Sequence, residues 1–254
     1  MLGGATAALR LAMALAISSA VALLLVAAEP ARADPAAAAY SREIWAGADA
    51  APHVWLLYTG TTIAPAGGIF EDGLRLRAAT GYGQYTYTGE RNGVMRSFAA
   101  QTLFTDALVG YLKRMGPLTA KAFVGASAIE HDIAPFDPQN PVEDLDYGPK
   151  VVAEFWLNMG SSYWSSLDLN WTSAHDTYAG RVRVAHRFAD HVSLGAEARI
   201  DGNALDQDTR GGLFMRYDWA SGELSLAAGV SGRMLENASD MTDPYTTLTW
   251  LTQY

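Results

Sequence analysis

The sequence predicts an all-β fold, an antiparallel transmembrane β-barrel of about twelve strands (range 10–14) that follows an N-terminal export signal. Three observations carry that prediction: an apolar leader with a small-residue cleavage box, a period of two that persists from Ile44 to the C-terminus, and connections that alternate between short and long.

In the leader, Arg10 precedes an apolar run from Leu11 to Ala28, and Ala31-Arg32-Ala33 follows. That order is the pattern of a secretory signal peptide. The run is also about the shortest that could span a bilayer as a helix, so an uncleaved anchor is the competing reading. The small-residue box favours cleavage. The expected organisation is therefore a signal peptide over residues 1–33, a lead segment over 34–42 and a barrel over 43–254. No second long apolar run follows, which leaves no further helical span.

The strand evidence is clearest in the C-terminal half. Between Arg181 and Phe188, the residues Val182, Val184, His186 and Phe188 share one face, and Arg181, Arg183, Ala185 and Arg187 share the other. A helix would mix the two sets. Val192–Asp201 places Leu194, Ala196 and Ala198 opposite Gly195, Glu197 and Arg199, and Glu223–Arg233 sets Leu224, Leu226 and Val230 against Ser225, Ala227 and Ser231. Earlier, Leu74 and Leu76 alternate with Arg75 and Arg77, Val151 and Phe155 with Glu154 and Trp156, and Leu167 and Trp171 with Asp168 and Thr172. Strands are expected to begin near residues 43, 54, 73, 95, 118, 148, 164, 177, 192, 209, 223 and 244. The second and fourth are ambiguous in face.

Barrels of the outer membrane have short periplasmic turns and longer external loops. With the first strand starting in the periplasm, turns fall at 67–73, 116–117, 160–162, 189–191 and 220–222, and loops at 89–93, 130–147, 202–208 and 235–243. An even strand count returns the C-terminus to the periplasm. There Leu248, Trp250, Thr252 and Tyr254 share a face and end in an aromatic residue, as membrane-insertion signals of such barrels do. Tyr163, Trp164, Phe188, Tyr217 and Trp219 gather at the same strand ends, as an interfacial girdle requires. A soluble periplasmic sandwich or lipocalin-like barrel would show the same alternation. The membrane barrel is favoured because the non-apolar faces combine large charges with Gly and Ala, an interior mixture.

Composition narrows the function. The 254 residues include no cysteine, which excludes disulfides and thiol chemistry. The net charge of −9 argues against nucleic acid as a partner. The alternation assigns Arg75, Arg77, Lys121, Arg181, Arg183, Arg199, Arg210 and Arg216 to the lumen, against Glu154, Asp168, Glu197 and Asp218, a wall that is net basic by this count. Such charges form either a lattice of ion pairs that fills the barrel or a passage for an anionic or hydroxyl-rich solute. Inward Trp156 and Phe214 serve as sugar-stacking platforms in the second case and as plugs in the first.

The loop 130–147 concentrates Glu130, Asp132, Asp137, Glu143, Asp144 and Asp146 around Pro135, Pro138 and Pro141. It reads as a solvated loop, with cation bridging to lipopolysaccharide as the alternative. Catalytic material is thin: only His175 lies near both a hydroxyl, Ser173, and a carboxylate, Asp176, and neighbours on one loop rarely build a triad. Gly81-x-Gly83 is no phosphate loop, because strand pattern continues through Tyr85 and Tyr87. No cofactor and no metal site are expected.

The stretches EIWAG (43–47), GYGQYTY (81–87), DALVGYLKRMGPLTAKAFVGA (106–126), AEFWLN (153–158) and RGGLFMRYDW (210–219) resemble the cellulose biosynthesis protein BcsS family of alphaproteobacterial outer-membrane proteins. The resemblance runs through nearly the whole segment after the leader. It implies a non-enzymatic barrel of the Gram-negative outer membrane, accessory to cellulose or other exopolysaccharide biosynthesis or secretion. Its partners would be outer-membrane lipid, lipopolysaccharide and the cellulose or secretion machinery. No catalytic or binding residues come with it. A small-solute or oligosaccharide channel and an outer-membrane lipid hydrolase are the alternatives.

Overall fold

In the computed structural model, residues 40–232 and 242–254 are described. They form twelve strands: β1 (Arg42–Ala51), β2 (Val54–Ile63), β3 (Gly73–Arg91), β4 (Val94–Met115), β5 (Leu118–Ala134), β6 (Asp144–Met159), β7 (Tyr163–Thr172), β8 (Thr177–Ala189), β9 (Val192–Gly202), β10 (Gln207–Trp219), β11 (Gly222–Gly232) and β12 (Asp243–Gln253). Each pairs antiparallel with its sequence neighbours, and β12 pairs with β1, so the sheet closes into a barrel. The leader lies outside the described residues, as does most of the 235–243 loop.

Closure satisfies the backbone. The β1–β12 seam runs from Glu43 opposite Gln253 to Ala50 opposite Thr246, and the Tyr254 carbonyl accepts from the amides of Ser41 and Arg42. No strand edge is left to face lipid, which is the condition for spanning a hydrocarbon layer with strands.

The period of two sorts the side chains. Leu76, Val124, Val182, Leu194 and Leu226 stand exposed on the outer surface, and Leu213 is 71% exposed. Their sequence neighbours Arg75, Phe123, Arg183, Ser193 and Ser225 are buried. A soluble sandwich or lipocalin would reverse this order, so the outer wall is a lipid-facing surface, as in outer-membrane proteins. We place the protein in the outer membrane of a Gram-negative bacterium on this ground.

The two strands of ambiguous face resolve in the same way. On β2, Trp55 and Leu57 point out while Thr62 is buried. On β4, Leu103, Val109 and Tyr111 point out while Phe98, Asp106, Leu108 and Leu112 are buried. Among the expected girdle residues, Tyr163, Phe188 and Tyr217 are exposed at the end that carries both termini, and Trp219 is half-buried. Trp164 departs from the expectation: it is 1% exposed and points inward, because its place in β7 has the parity of Asp168 and Thr172. In β12, Leu248 and Trp250 face out, Thr252 is half-buried beside them, and Tyr254 follows the last paired residue.

The far end gains its height from strands more than from loops. β3, β4, β5 and β6 are 19, 22, 17 and 16 residues long, whereas the other strands have 10 to 13. A tilted crossing needs only about 9–11 residues, so one third of the circumference stands above the membrane as a raised wall. The expected loops at 89–93 and 130–147 shrink accordingly. β3 and β4 meet in the two-residue turn Asn92-Gly93, with φ of 55° and 78°. This left-handed pair suits the twist of a hairpin. The β5–β6 connection is confined to 135–143, and β6 begins at Asp144 rather than near 148. At the end with the termini, the connections are 64–72, 116–117, 160–162, 190–191 and 220–221, all tight except the first.

A lipid-facing wall implies a measurable environment. Nitroxide labels at Val182, Val184 and Leu226 are expected to report hydrocarbon and oxygen access in vesicles, and the folded chain is expected to migrate as a compact species on gels until boiled. Labels that report bulk water would overturn the barrel's orientation.

Candidate functional site: the lumen and the raised wall

Inside the barrel, glycine makes room for large rings. Tyr58 lies over its paired Gly47 and Trp45 over its paired Gly60, where an added Cβ would sit 2.3 and 2.2 Å from the ring. Aromatic side chains thus lie against the wall and fill space beside it.

The sequence-predicted lumen charges are joined mostly in ion pairs. Arg77 of β3 reaches Glu154 of β6, which also takes Lys121 at 3.4 Å. Arg181 meets Asp168 at 3.0 Å, and Arg183 meets Glu197 at 2.7 Å. Arg199 bridges Asp49 and Asp201, each at 2.7 Å; Arg210 meets Asp208 at 2.9 Å, and Arg216 meets Glu223 at 2.6 Å. Asp218 is half-buried on the same face of β10. Arg75 differs: 1% exposed, it donates to the carbonyls of Gly68, Ile69 and Glu71 and so holds the 64–72 segment against the barrel end.

Five carboxylates in this network escaped the sequence reading, Glu43, Asp49, Asp106, Asp208 and Glu223, and a sixth, Asp201, shares the polar face of residues 192–201 by alternation but was left out of the charge count. They correct the net-basic wall to a balanced one. Asp106 takes Lys150 at 2.7 Å and the Ser127 hydroxyl, also at 2.7 Å. Asp49 is a hub, 3% exposed, that accepts from Arg199 and from the Thr247 hydroxyl at 2.6 Å, with Arg210 at 3.8 Å. The parity of β1, which puts Glu43, Trp45, Gly47 and Asp49 on one face, was the available signal. The ambiguous face of β4 hid Asp106.

Several contacts span strands three or four places apart round the wall, so they cross the interior rather than run along it. Arg77–Glu154 joins β3 to β6, Arg199–Asp49 joins β9 to β1, and Lys121–Glu43, at 3.7 Å, joins β5 to β1. Rings add contacts between adjacent strands, as Trp156 on Trp164 does, and across the interior, as Trp164 to Phe214 and Arg216 to Trp156 do. Trp156 stacks on Trp164 at 4.1 Å, Trp164 meets Phe214 at 5.6 Å, Arg216 lies 4.8 Å over Trp156, and Arg183 lies 4.8 Å over Phe214. Trp156 and Phe214 are therefore occupied by the protein's own side chains.

The loop 135–143 is not simply solvated. Asp137, 1% exposed, accepts from Arg91 Nε at 2.7 Å and from the Tyr87 hydroxyl at 2.8 Å, and Asn140 donates to the same hydroxyl. Tyr87 stacks on Phe98 at 5.0 Å. The loop is thereby pinned to the inner face of the raised wall. The Arg91 guanidinium beside Asp137, helped by the Tyr87 hydroxyl, lowers its carboxyl to about 2. Glu130 and Asp132 stay exposed on the outer face of β5. Among the described residues, no group of three or more His, Cys, Asp or Glu side chains is placed to hold a metal ion.

Ser173, His175 and Asp176 are not linked as a triad. The His175 amide donates to Asp146, its ring meets the Asp144 carbonyl at 3.2 Å, and Asp176 accepts from Trp171 Nε1. His175 also packs on His131 at 5.1 Å, which ties the β7–β8 turn to β5.

A twelve-stranded, lipid-facing barrel with an interior crossed by ion pairs and stacked rings defines the class of protein. Its family follows from the sequence: the chain matches the family model of the cellulose biosynthesis protein BcsS over residues 44–250, and it belongs to that family. Comparison with curated proteins finds no match. Among solved structures, the KdgM porin is similar at 8% identity and TM-score 0.45, over 84% of this chain and 99% of that one. The translocator domain of autotransporter NalP from Neisseria meningitidis is similar at 10% identity and TM-score 0.43, over 98% and 96%. Omp33 of Acinetobacter baumannii is similar at 9% identity and TM-score 0.37, over 85% and 98%.

Two outcomes are expected. Asp49→Ala leaves Arg199 and Arg210 short of a buried partner and should destabilise the barrel by about 3 kcal/mol, read from urea unfolding in lipid vesicles. The Asp137 carboxyl lies below its ordinary 3.8, so the latch contributes fully above that value and is lost as pH falls through about 2. A carboxyl NMR titration should show a midpoint near 2 that Arg91→Gln raises toward the ordinary range.

Proposed function

We propose that the protein is a non-enzymatic accessory of cellulose biosynthesis in the outer membrane, one that anchors or organises the secretion machinery and does not itself conduct the glucan. Family membership supports the cellulose link. The observation that carries the non-conducting role is the set of contacts across the lumen. Arg183 and Glu197 have side chains 7% and 2% exposed, and Asp49 is as enclosed as Glu197. A polymer that threaded the barrel would have to break such pairs and leave charges unpaired in a water-poor interior, which costs several kcal/mol for each.

The leader is proposed as a cleaved export signal, consistent with a barrel that has to reach the outer membrane. Lipid and lipopolysaccharide surround the apolar belt in this setting, and the secretion machinery is the proposed protein partner. The lipid-hydrolase alternative drew on Ser173, His175 and Asp176, and the His175 amide and ring engage Asp146 and the Asp144 carbonyl instead.

Planar-bilayer recordings of the purified barrel should show no stable open current, and deletion of the gene should reduce cellulose output or fibre attachment. Steady open currents would favour the channel, and a deletion strain with unchanged cellulose would end the accessory role.

A further inference from the structure

The top of the raised wall carries a cleft that the lumen network does not use. It lies between the β3–β4 hairpin and the 135–143 loop, has a volume of about 170 Å³, and is lined by Arg91, Asn92, Arg96, Phe98, Phe136 and Gln139, with Asp137 and Pro138. Phe98 is 2% exposed and forms its floor, while Phe136 is 72% exposed on an otherwise polar tip. Phe136 therefore offers apolar ring surface to solvent at the edge of the cleft.

The polar groups round that ring are mainly donors. Arg96 is exposed and its guanidinium has no ion-pair or hydrogen-bond partner among the described residues. Asn92 and Gln139 present side-chain amides. The carboxylate in the cleft is already engaged: Asp137 accepts from Arg91, from Tyr87 and from the Gln139 backbone N–H at 3.3 Å. Those bonds also hold the loop in place, so the cleft is organised before any ligand arrives, which lowers the ordering cost of binding.

An open aromatic face with unpaired donors beside it matches the chemistry of a pyranose, whose axial C–H face is apolar and whose rim carries hydroxyl oxygens. We propose that this cleft binds one ring of a neutral β-glucan at the cell surface, with Phe136 stacking on the sugar face and Arg96, Asn92 and Gln139 donating to its hydroxyls. The proposal rests on the accessory reading and gives it a substrate class and a place. The ring is taken from outside, on the wall, and the lumen stays closed.

The test titrates cellohexaose into the full barrel folded in nanodiscs. Saturable binding is expected, weakened about tenfold or more by Phe136→Ala and by Arg96→Ala, and kept by Phe136→Tyr. Both alanine variants should retain the unheated gel mobility of the parent, since neither residue makes a lumen contact. No saturable binding, binding that both alanine variants leave unchanged, or tighter binding of oligogalacturonate than of cellohexaose would overturn the assignment. The two ideas fail separately: a cellulose-deficient deletion strain fully rescued by the Phe136→Ala, Arg96→Ala double variant sinks the cleft and spares the accessory role. A deletion strain with normal cellulose beside tight, Phe136-dependent binding does the reverse.

Discussion

Closure of the sheet on itself is the constraint from which the rest of this molecule follows. In hydrocarbon there is no water to satisfy a backbone amide or carbonyl, so a strand can cross only if both its edges are paired. The β1–β12 seam meets that condition along its length. Once the cylinder is closed, each strand must send alternate side chains into the interior, which has its own requirement: a charge shielded there from water needs a partner.

The ion-pair lattice is the answer to that second requirement. Asp49 shows its logic best, because one carboxylate on β1 joins β9 through Arg199, β12 through Thr247 and approaches Arg210 of β10. The same side chain therefore neutralises buried arginines and ties the first strand to the last. Stacked rings occupy part of the remaining volume, with Trp156, Trp164 and Phe214 linked to the charges through Arg216 and Arg183. Ion pairs and rings therefore cross the interior between strands that are not ladder neighbours.

Asymmetry of strand length adds a part that stands clear of the lipid. β3 to β6 run past the membrane and raise a wall whose inner face holds Tyr87, Phe98 and the latch between Arg91 and Asp137. Paired strands build the wall: the β3–β4 ladder continues to Arg91 opposite Val94 and the β4–β5 ladder to Ala99 opposite Ala134. A loop of the same reach would have had to be ordered on binding. A surface made this way can hold a site in place without any opening through the barrel.

The sequence by itself determined an all-β chain of about twelve strands (range 10–14) and the direction of most side chains, because a period of two leaves a strand only two faces; the large charges mixed with Gly and Ala on the polar faces favoured the lipid-facing barrel over a soluble sandwich. Strand starts were legible to within a few residues, with β6 the largest miss. What only the tertiary structure decided is who meets whom across the lumen. Partners such as Arg77 and Glu154, or Arg199 and Asp49, lie on strands that are not neighbours in the ladder, and their meeting depends on barrel diameter and stagger rather than on local pattern. For the same reason the count of inward charges came out basic from sequence and balanced in space: Asp49 and Asp106 sit on strands whose alternation is blurred by alanine and glycine. The pinning of Asp137 likewise depends on Arg91 and Tyr87, partners distant in the chain that no local period encodes, whereas the inward turn of Trp164 follows the parity of β7 itself.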